Sequence, residues 1–353
     1  MLFFVAGLPG RFAEWCDAVT ARLAETVQGP TQILHANTLD EISRGLLRAG
    51  PLQAVLASRQ PGGRLRTALI AAQRRFVVAL DDPRVALSQI VGGDSNNMAA
   101  AIRAVAGSCA GVAGYIGAPG ALLLYAEPTS HDAEATASAI ADHFQLSVKN
   151  ATVAEIVRDL ADSGLTPERR DAVEAWETLD DTAKGVAIGA LGSFVNSFVV
   201  LQPIHWAPDL FSRGDRPGEP ATGSVDITGR ARCLVDGPHI MLPPGRWRLA
   251  LELVFSPGAA EYEFAVEVSA GAPLGYRLIR PQRGGGLETN IEFVVDEGGE
   301  HPIDIRLSSQ RAAFDGTVRL AKATLLPQPA AEAKSGARLA RAENYRQQLD
   351  ERR

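Results

Sequence analysis

The sequence predicts two folds in series: an open parallel α/β sheet with helices on both faces, then an antiparallel β-sandwich. Three observations carry this. In residues 1–125, short apolar runs alternate with helical patterns, the order of βαβ units. Past residue 229 the apolar period changes from helical to two. Between these regions, 207–229 collects prolines, glycines and charges with little apolar content, and reads as a linker. A chain of 353 residues exceeds one typical core. The expected division is an α/β domain over 1–206, a linker over 207–229, a sandwich over 230–328 and a charged tail over 329–353.

The elements follow in order. Leu2–Ala6, Gln32–His35, Gln53–Ala57, Phe76–Leu80 and Ala121–Tyr125 are near-continuous apolar runs, as strands covered on both faces require. Between them, Arg11–Thr26, Leu39–Arg48, Leu65–Arg74 and Ser95–Val112 are long enough for helices, and Asn37 or Thr38 can cap the second. Ala133–Phe144, Thr152–Asp162, Pro167–Leu179 and Thr182–Phe198 continue as helices. Thr166-Pro167-Glu168-Arg169 supplies a cap, a proline at the first position and an acid in the first turn. Arg246–Leu253, Tyr262–Val268, Asn290–Val295 and Ile303–Leu307 then alternate with period two, separated by turn residues.

Composition narrows the class. The net charge of −6 disfavours a general nucleic-acid binder, which would carry a basic surface. Cys16, Cys109 and Cys233 form neither a CxxC pair nor a zinc spacing, so buried free thiols in a reducing compartment are expected. No apolar stretch reaches the roughly 20 residues that span a bilayer. The first apolar run is short for a signal peptide and has no basic residue before it. A cytoplasmic location is the expectation. His131 and His143 lie twelve positions apart, and no HExxH, GxSxG or intact Walker motif occurs, so no catalytic metal is expected.

The chemistry-bearing segments begin at once. Gly7-Leu8-Pro9-Gly10 breaks the first apolar run and feeds a helix, the arrangement by which α/β folds present backbone N–H groups to phosphate. Three segments resemble the sulfotransferase family, whose fold is related to nucleotide kinases. In Phe4–Trp15, Pro9 and Trp15 match the family's 5′-phosphosulfate loop. Gly10 stands where that loop has a basic residue and Arg11 where it has a serine, and Phe12, Ala13 and Glu14 replace a glycine and two threonines. In Phe76–Ser88, Asp82, Pro83 and Arg84 match the 3′-phosphate motif. Asp81 replaces its leading arginine, Ser88 falls one residue early, and Gln89 takes the usual serine's place. In Ala121–Leu146, Tyr125 and the following helix match, with Ala126 inserted before Glu127. The resemblance implies 3′-phosphoadenosine 5′-phosphosulfate (PAPS) as donor, with its product PAP. Gly7, Pro9, Gly10, Arg11 and Trp15 would lie at the 5′ end, and Arg84 and Ser88 at the 3′ end. Phe12 is bulky and Glu14 is anionic, both unfavourable in a phosphate cradle that needs small residues.

Sulfuryl transfer needs a base for the acceptor hydroxyl. His35, at the carboxyl end of the second strand, is the candidate. Arg59 and Arg64 flank Gly62-Gly63 at the same sheet edge and suit an anionic substrate. Asn96 and Asn97, near Gly92-Gly93, are weaker candidates. In the C-terminal half, Gly237–Leu249 forms a strand, a proline-glycine turn and an alternating strand. This cassette resembles β-sandwich modules, often jelly rolls, appended to bacterial glycosyltransferases and other polysaccharide-handling proteins. That resemblance offers Trp247 and Tyr276 for stacking on sugar rings, and Arg277 and Arg280 for acidic sugars. A module that only packs or dimerises is the other reading. The expected function is a sulfotransferase-like protein on a bacterial cell-surface polysaccharide. A non-catalytic carbohydrate-binding or scaffold protein, and a glycosyltransferase-related enzyme, are the alternatives.

Overall fold

A computed structural model describes residues 2–49, 53–91, 98–126, 132–167, 170–198, 201–297 and 301–329. The expectations placed on Gly92-Gly93, Asn96, Asn97, Glu127, His131, Glu168, Arg169 and the tail from residue 330 lie outside the described residues. The fold is mixed: a five-stranded parallel sheet with helices, and two antiparallel sheets that form a sandwich. Contacts divide the described residues into two units, one drawn from 2–91 and 108–179, the other from 98–107 and 180–329.

Up to residue 179 the described elements are β1 (Leu2–Gly7), α1 (Arg11–Gln28), β2 (Thr31–His35), α2 (Leu39–Ala49), β3 (Gln53–Ser58), α3 (Gly63–Ala71), β4 (Phe76–Leu80), α4 (Pro83–Val91), α5 (Met98–Ala113, whose first ten residues belong to the second unit), β5 (Ala121–Tyr125), α6 (Ala133–Phe144), α7 (Asn150–Asp162) and α8 (Arg170–Thr178). The strands are all parallel, in the order β2-β3-β1-β4-β5. The apolar runs explain the burial. Phe3 and Val5 of β1 face a core shared with Phe12, Trp15 and Val19 of α1, Ile140 of α6 and Ile156 of α7. Phe4, one residue out of step, stacks on Tyr115 at 5.7 Å on the opposite face. Thr38 caps α2 through a capping box: its Oγ1 accepts from the Glu41 N–H, and Glu41 Oε2 accepts from the Thr38 N–H, each at 3.3 Å.

The second unit adds α9 (Asp181–Asn196), β6 (Ile204–Trp206), β7 (Ser212–Arg213), β8 (Arg216–Pro220), β9 (Val225–Asp226), β10 (Cys233–Ile240), β11 (Gly245–Phe255), β12 (Phe264–Ala270), β13 (Ala272–Ile279), β14 (Gly285–Val295), β15 (Ile303–Ser309) and β16 (Thr317–Gln328). One sheet runs β13-β12-β15-β10-β7-β8; the other runs β14-β11-β16-β6, with β9 also on β16. Period two does the work here. Trp247, Leu249, Leu251 and Leu253 of β11 are buried, and so are Phe293, Ile291 and Thr289, which lie opposite the first three on β14. Phe255 and Phe264 bring rings of the two sheets to 4.9 Å.

One expectation is corrected. The stretch 207–229 is not a free linker, because β7, β8 and β9 lie within it and pair into both sheets. All five residues of β8 are exposed, so no apolar period announces this edge strand.

Candidate functional site

In the order β2-β3-β1-β4-β5, the chain leaves β1 toward one side of the sheet and reaches β4 on the other. The crevice outside the carboxyl ends of β1 and β4 is therefore the topological switch point, where open α/β sheets place ligands. Parallel pairing sets Gly7 opposite Ala79, so the Gly7–Gly10 and Asp81–Arg84 loops lie side by side. Sequence reasoning chose these two loops, and the topology brings them together.

The chemistry within the crevice is occupied by the chain itself. The Arg11 N–H, first in α1, donates to Gln89 Oε1 of α4 at 2.9 Å. Gly10 gives α1 no side-chain cap, so Gln89 caps the helix from across the crevice. A Cβ on Gly10 would run into that same Oε1. Gly7 serves packing, because a Cβ there would lie 2.7 Å from Ala79 O and 2.9 Å from Ala13 Cβ. Leu8 and Phe12 are buried, and Pro9 is partly exposed. Trp15 is corrected from a candidate cofactor contact to a core residue: it is fully buried, with its ring stacked near Phe12.

The second loop is equally self-contained. Asp82 Oδ1 caps α4 by accepting the Arg84 N–H at 2.8 Å, with Pro83 at the first helical position. The Arg84 guanidinium turns back on the same carboxylate, Nε to Oδ1 at 3.0 Å and Nη2 to Oδ2 at 2.5 Å. That bond and the carboxylate's charge push the Arg84 pKa up. Ser88 is buried and donates to Arg84 O at 2.9 Å. Asp81 and Asp82 bring two carboxylates to the rim against the single guanidinium of Arg84. One N–H of the α1 N-terminus thus already has an acceptor, and Arg84 is matched by its own acid, so two groups that a phosphate would use are engaged within the chain.

A second cluster sits at the carboxyl end of β3. Arg59 forms an ion pair with Asp17 of α1, whose side chain is only 3% exposed. Burial pushes the Asp17 carboxyl up to about 6, against the opposing pull of Arg59. Its Oδ1 has no hydrogen-bond partner among the described residues. Asn37 Oδ1 accepts from Ser58 Oγ, the Arg59 N–H and the Gln60 N–H at 2.9, 3.1 and 2.8 Å, which locks the loop. Arg59 is thus committed within the fold. Arg64, in the first turn of α3, is exposed. His35 is exposed at the end of β2, an edge strand separated from β1 by β3, so the topology does not bring it to the crevice. His143 is structural: its Nε2–H is shared between Phe76 O and Gly120 O, both at 3.1 Å, and burial lowers its pKa.

In the sandwich, Trp247 is corrected from a sugar platform to core. It is 1% exposed, and its Nε1–H donates to Pro243 O at 3.0 Å. Tyr276 and Arg277, on edge strand β13, are exposed, Tyr276 at 56%. Arg280 is tied to Glu261, its Nε donating to the backbone oxygen at 3.0 Å and its Nη2 lying 3.3 Å from Oε2. Sequence reasoning missed two residues that define these sites, Gln89 and Asp17. The only signal for Gln89 was that it stands where the resemblance expects a serine. Nothing in the local pattern marks Asp17.

No protein-family model matches the chain, and no curated protein sequence does. Among solved structures, a mouse sulfotransferase complexed with PAP is 12% identical, covering 52% of this chain and 79% of that one, with a TM-score of 0.38. A carbohydrate-binding module in complex with beta-1,4-galactotriose is 16% identical, covering 33% and 81%, with a TM-score of 0.23. A module of a xylanase from the hindgut metagenome of Trinervitermes trinervoides is 9% identical, covering 36% and 100%, with a TM-score of 0.26. Likeness of this order carries no functional argument.

Proposed function

We propose that this chain is a non-catalytic glycan-binding or scaffold protein of polysaccharide biosynthesis, in which a sulfotransferase-like α/β unit has lost its anion grip and the sandwich meets the polysaccharide. The carrying observation is the bond from the Arg11 N–H to Gln89 Oε1, which occupies one N–H of the helix N-terminus where a donor phosphate would bind. The Asp82–Arg84 pairing supports the same reading at the other half of the crevice. Exposed Tyr276 on β13 supplies an aromatic face suited to a sugar ring, and exposed Arg277 a cation on the opposite face of the strand. No described helix is long and apolar enough to cross a membrane. A cytoplasmic, bacterial setting belongs to the proposal.

Calorimetry on the full chain tests it, with PAP, UDP-sugars and acidic and neutral oligosaccharides as titrants. The expected result is saturable heat with an oligosaccharide and none with either nucleotide. Saturable PAP binding that disappears in Arg84→Ala would overturn the reading in favour of sulfuryl transfer from PAPS.

A further inference from the structure

Four loops gather at one end of the sandwich: 227–232 before β10, 256–263 between β11 and β12, 280–284 between β13 and β14, and 310–316 between β15 and β16. They are locked to one another by backbone hydrogen bonds. The Gly229 N–H donates to Ala313 O at 2.8 Å, and the Ala313 N–H donates back to Gly229 O at 2.9 Å. The Glu261 N–H donates to Pro281 O at 2.8 Å, and the Gln310 N–H to Glu263 O at 2.9 Å. The Tyr262 hydroxyl accepts the Phe314 N–H at 3.1 Å. On this braced platform Phe314 is 89% exposed, the most exposed large apolar side chain among the described residues. The backbone that carries it is fixed from both sides, so the ring is displayed on a rigid support.

Beside Phe314, the Asp315 carboxylate accepts the Gly316 N–H at 2.7 Å, and the arginines around the platform divide into two kinds. Arg280 is engaged by Glu261, and Arg311 lies 3.9 Å from Glu263. Arg230 and Arg283 are exposed, and neither forms an ion pair among the described residues. An aromatic face covers the apolar side of a sugar ring, and a guanidinium takes a carboxylate or sulfate through paired N–H donors.

We propose that this loop end is a binding site for an anionic polysaccharide, with Phe314 as the stacking platform and Arg230 and Arg283 as the anion contacts. The inference builds on the glycan-binding reading above and adds the place and the charge of the ligand. The binding is non-covalent, and the shared chemistry is an anionic oxygen on a sugar ring. Uronate and sulfate are its two sources.

Affinity electrophoresis of the full chain tests the site, in gels containing alginate, dextran sulfate or uncharged dextran. Both anionic polymers, or one of them, should retard the wild type, and dextran should not. The two anionic gels tell carboxylate from sulfate. Phe314→Ala should weaken retardation by about tenfold. The Arg230→Gln, Arg283→Gln double variant should lose the preference for the charged polymers. These side chains are exposed, so unchanged circular dichroism is expected in each variant. Equal retardation by dextran overturns the charge assignment. Undiminished binding in Phe314→Ala, with binding lost in Tyr276→Ala, overturns this site while the glycan reading stands. A wild type retarded by no polymer overturns both.

Discussion

Replacing Gln89 perturbs the crevice at one atom. Gly10 offers α1 no side chain, so Gln89 Oε1 is the cap on the Arg11 N–H. Losing an N-cap or a neutral hydrogen bond costs about 1 kcal/mol. Arg11 lies at the surface, so water takes up the freed N–H and no penalty for a buried orphan is added. About 1 kcal/mol is about a fivefold change in an opening equilibrium. In Gln89→Ala the amides of the first two turns of α1 should therefore exchange about fivefold faster, read by hydrogen–deuterium exchange in the regime where rate follows opening free energy. Gln89→Glu should move the other way. A carboxylate at a helix N-terminus gains about 0.3–1 kcal/mol from the helix dipole, and its hydrogen bond is charge-assisted. Unchanged exchange in both variants, or acceleration in both, would refute the assignment of Gln89 as the cap of α1.

Asp17 gives the fold a pH dependence. Its carboxyl rises from 3.8 to about 6 on folding, so the native state holds its proton more tightly than the unfolded chain. The resulting stability is fully present below pH 3.8 and is lost as pH rises through about 6, amounting to about 3 kcal/mol over that window. The difference between wild type and Asp17→Asn in denaturant midpoint should follow that curve between pH 4 and about 7; parallel curves would contradict it. Arg59→Ala leaves Asp17 buried without its cation and should cost about 3–5 kcal/mol above pH 7. Trp247→Ala should destabilise the sandwich by about 3–5 kcal/mol through the cavity it opens, read from chemical denaturation, whereas a binding-only role would leave stability intact. Arg84→Ala removes a pairing that is part-exposed and local, so a stability change of about 1 kcal/mol or less is expected.

Apolar runs made the α/β unit legible. β4, β5 and α6 lie within the expected bounds: Phe76–Leu80 is an apolar run between Arg75 and Asp81, Ala121–Tyr125 follows Gly120, and Ala133–Phe144 follows the capping Asp132. The alternation in β11 likewise marks one buried face. The short strands β7, β8 and β9 were not legible. β7 and β9 are only two residues long, β8 carries arginine, proline and glycine at an edge, and pairing with other strands decides them. The crevice was half legible. Its two loops are local motifs, but their contents depend on partners far apart in sequence: Gln89 lies 78 residues from Arg11, and Asp17 lies 42 from Arg59. Phe314, between Ala313 and Asp315, belongs to no period at all, and only the loops around it give it meaning.

The central proposal is that Gln89 closes the switch-point crevice of the α/β unit to anions. The Arg11 amide resonance reports that atom directly in a nitrogen–proton correlation spectrum. Adding PAP should leave it unmoved, while an anionic oligosaccharide shifts the amides of Phe314 and its neighbours. A saturable shift of Arg11 with PAP, accompanied by the Gln89 side-chain amide, would show that the crevice opens to phosphate and would contradict the account.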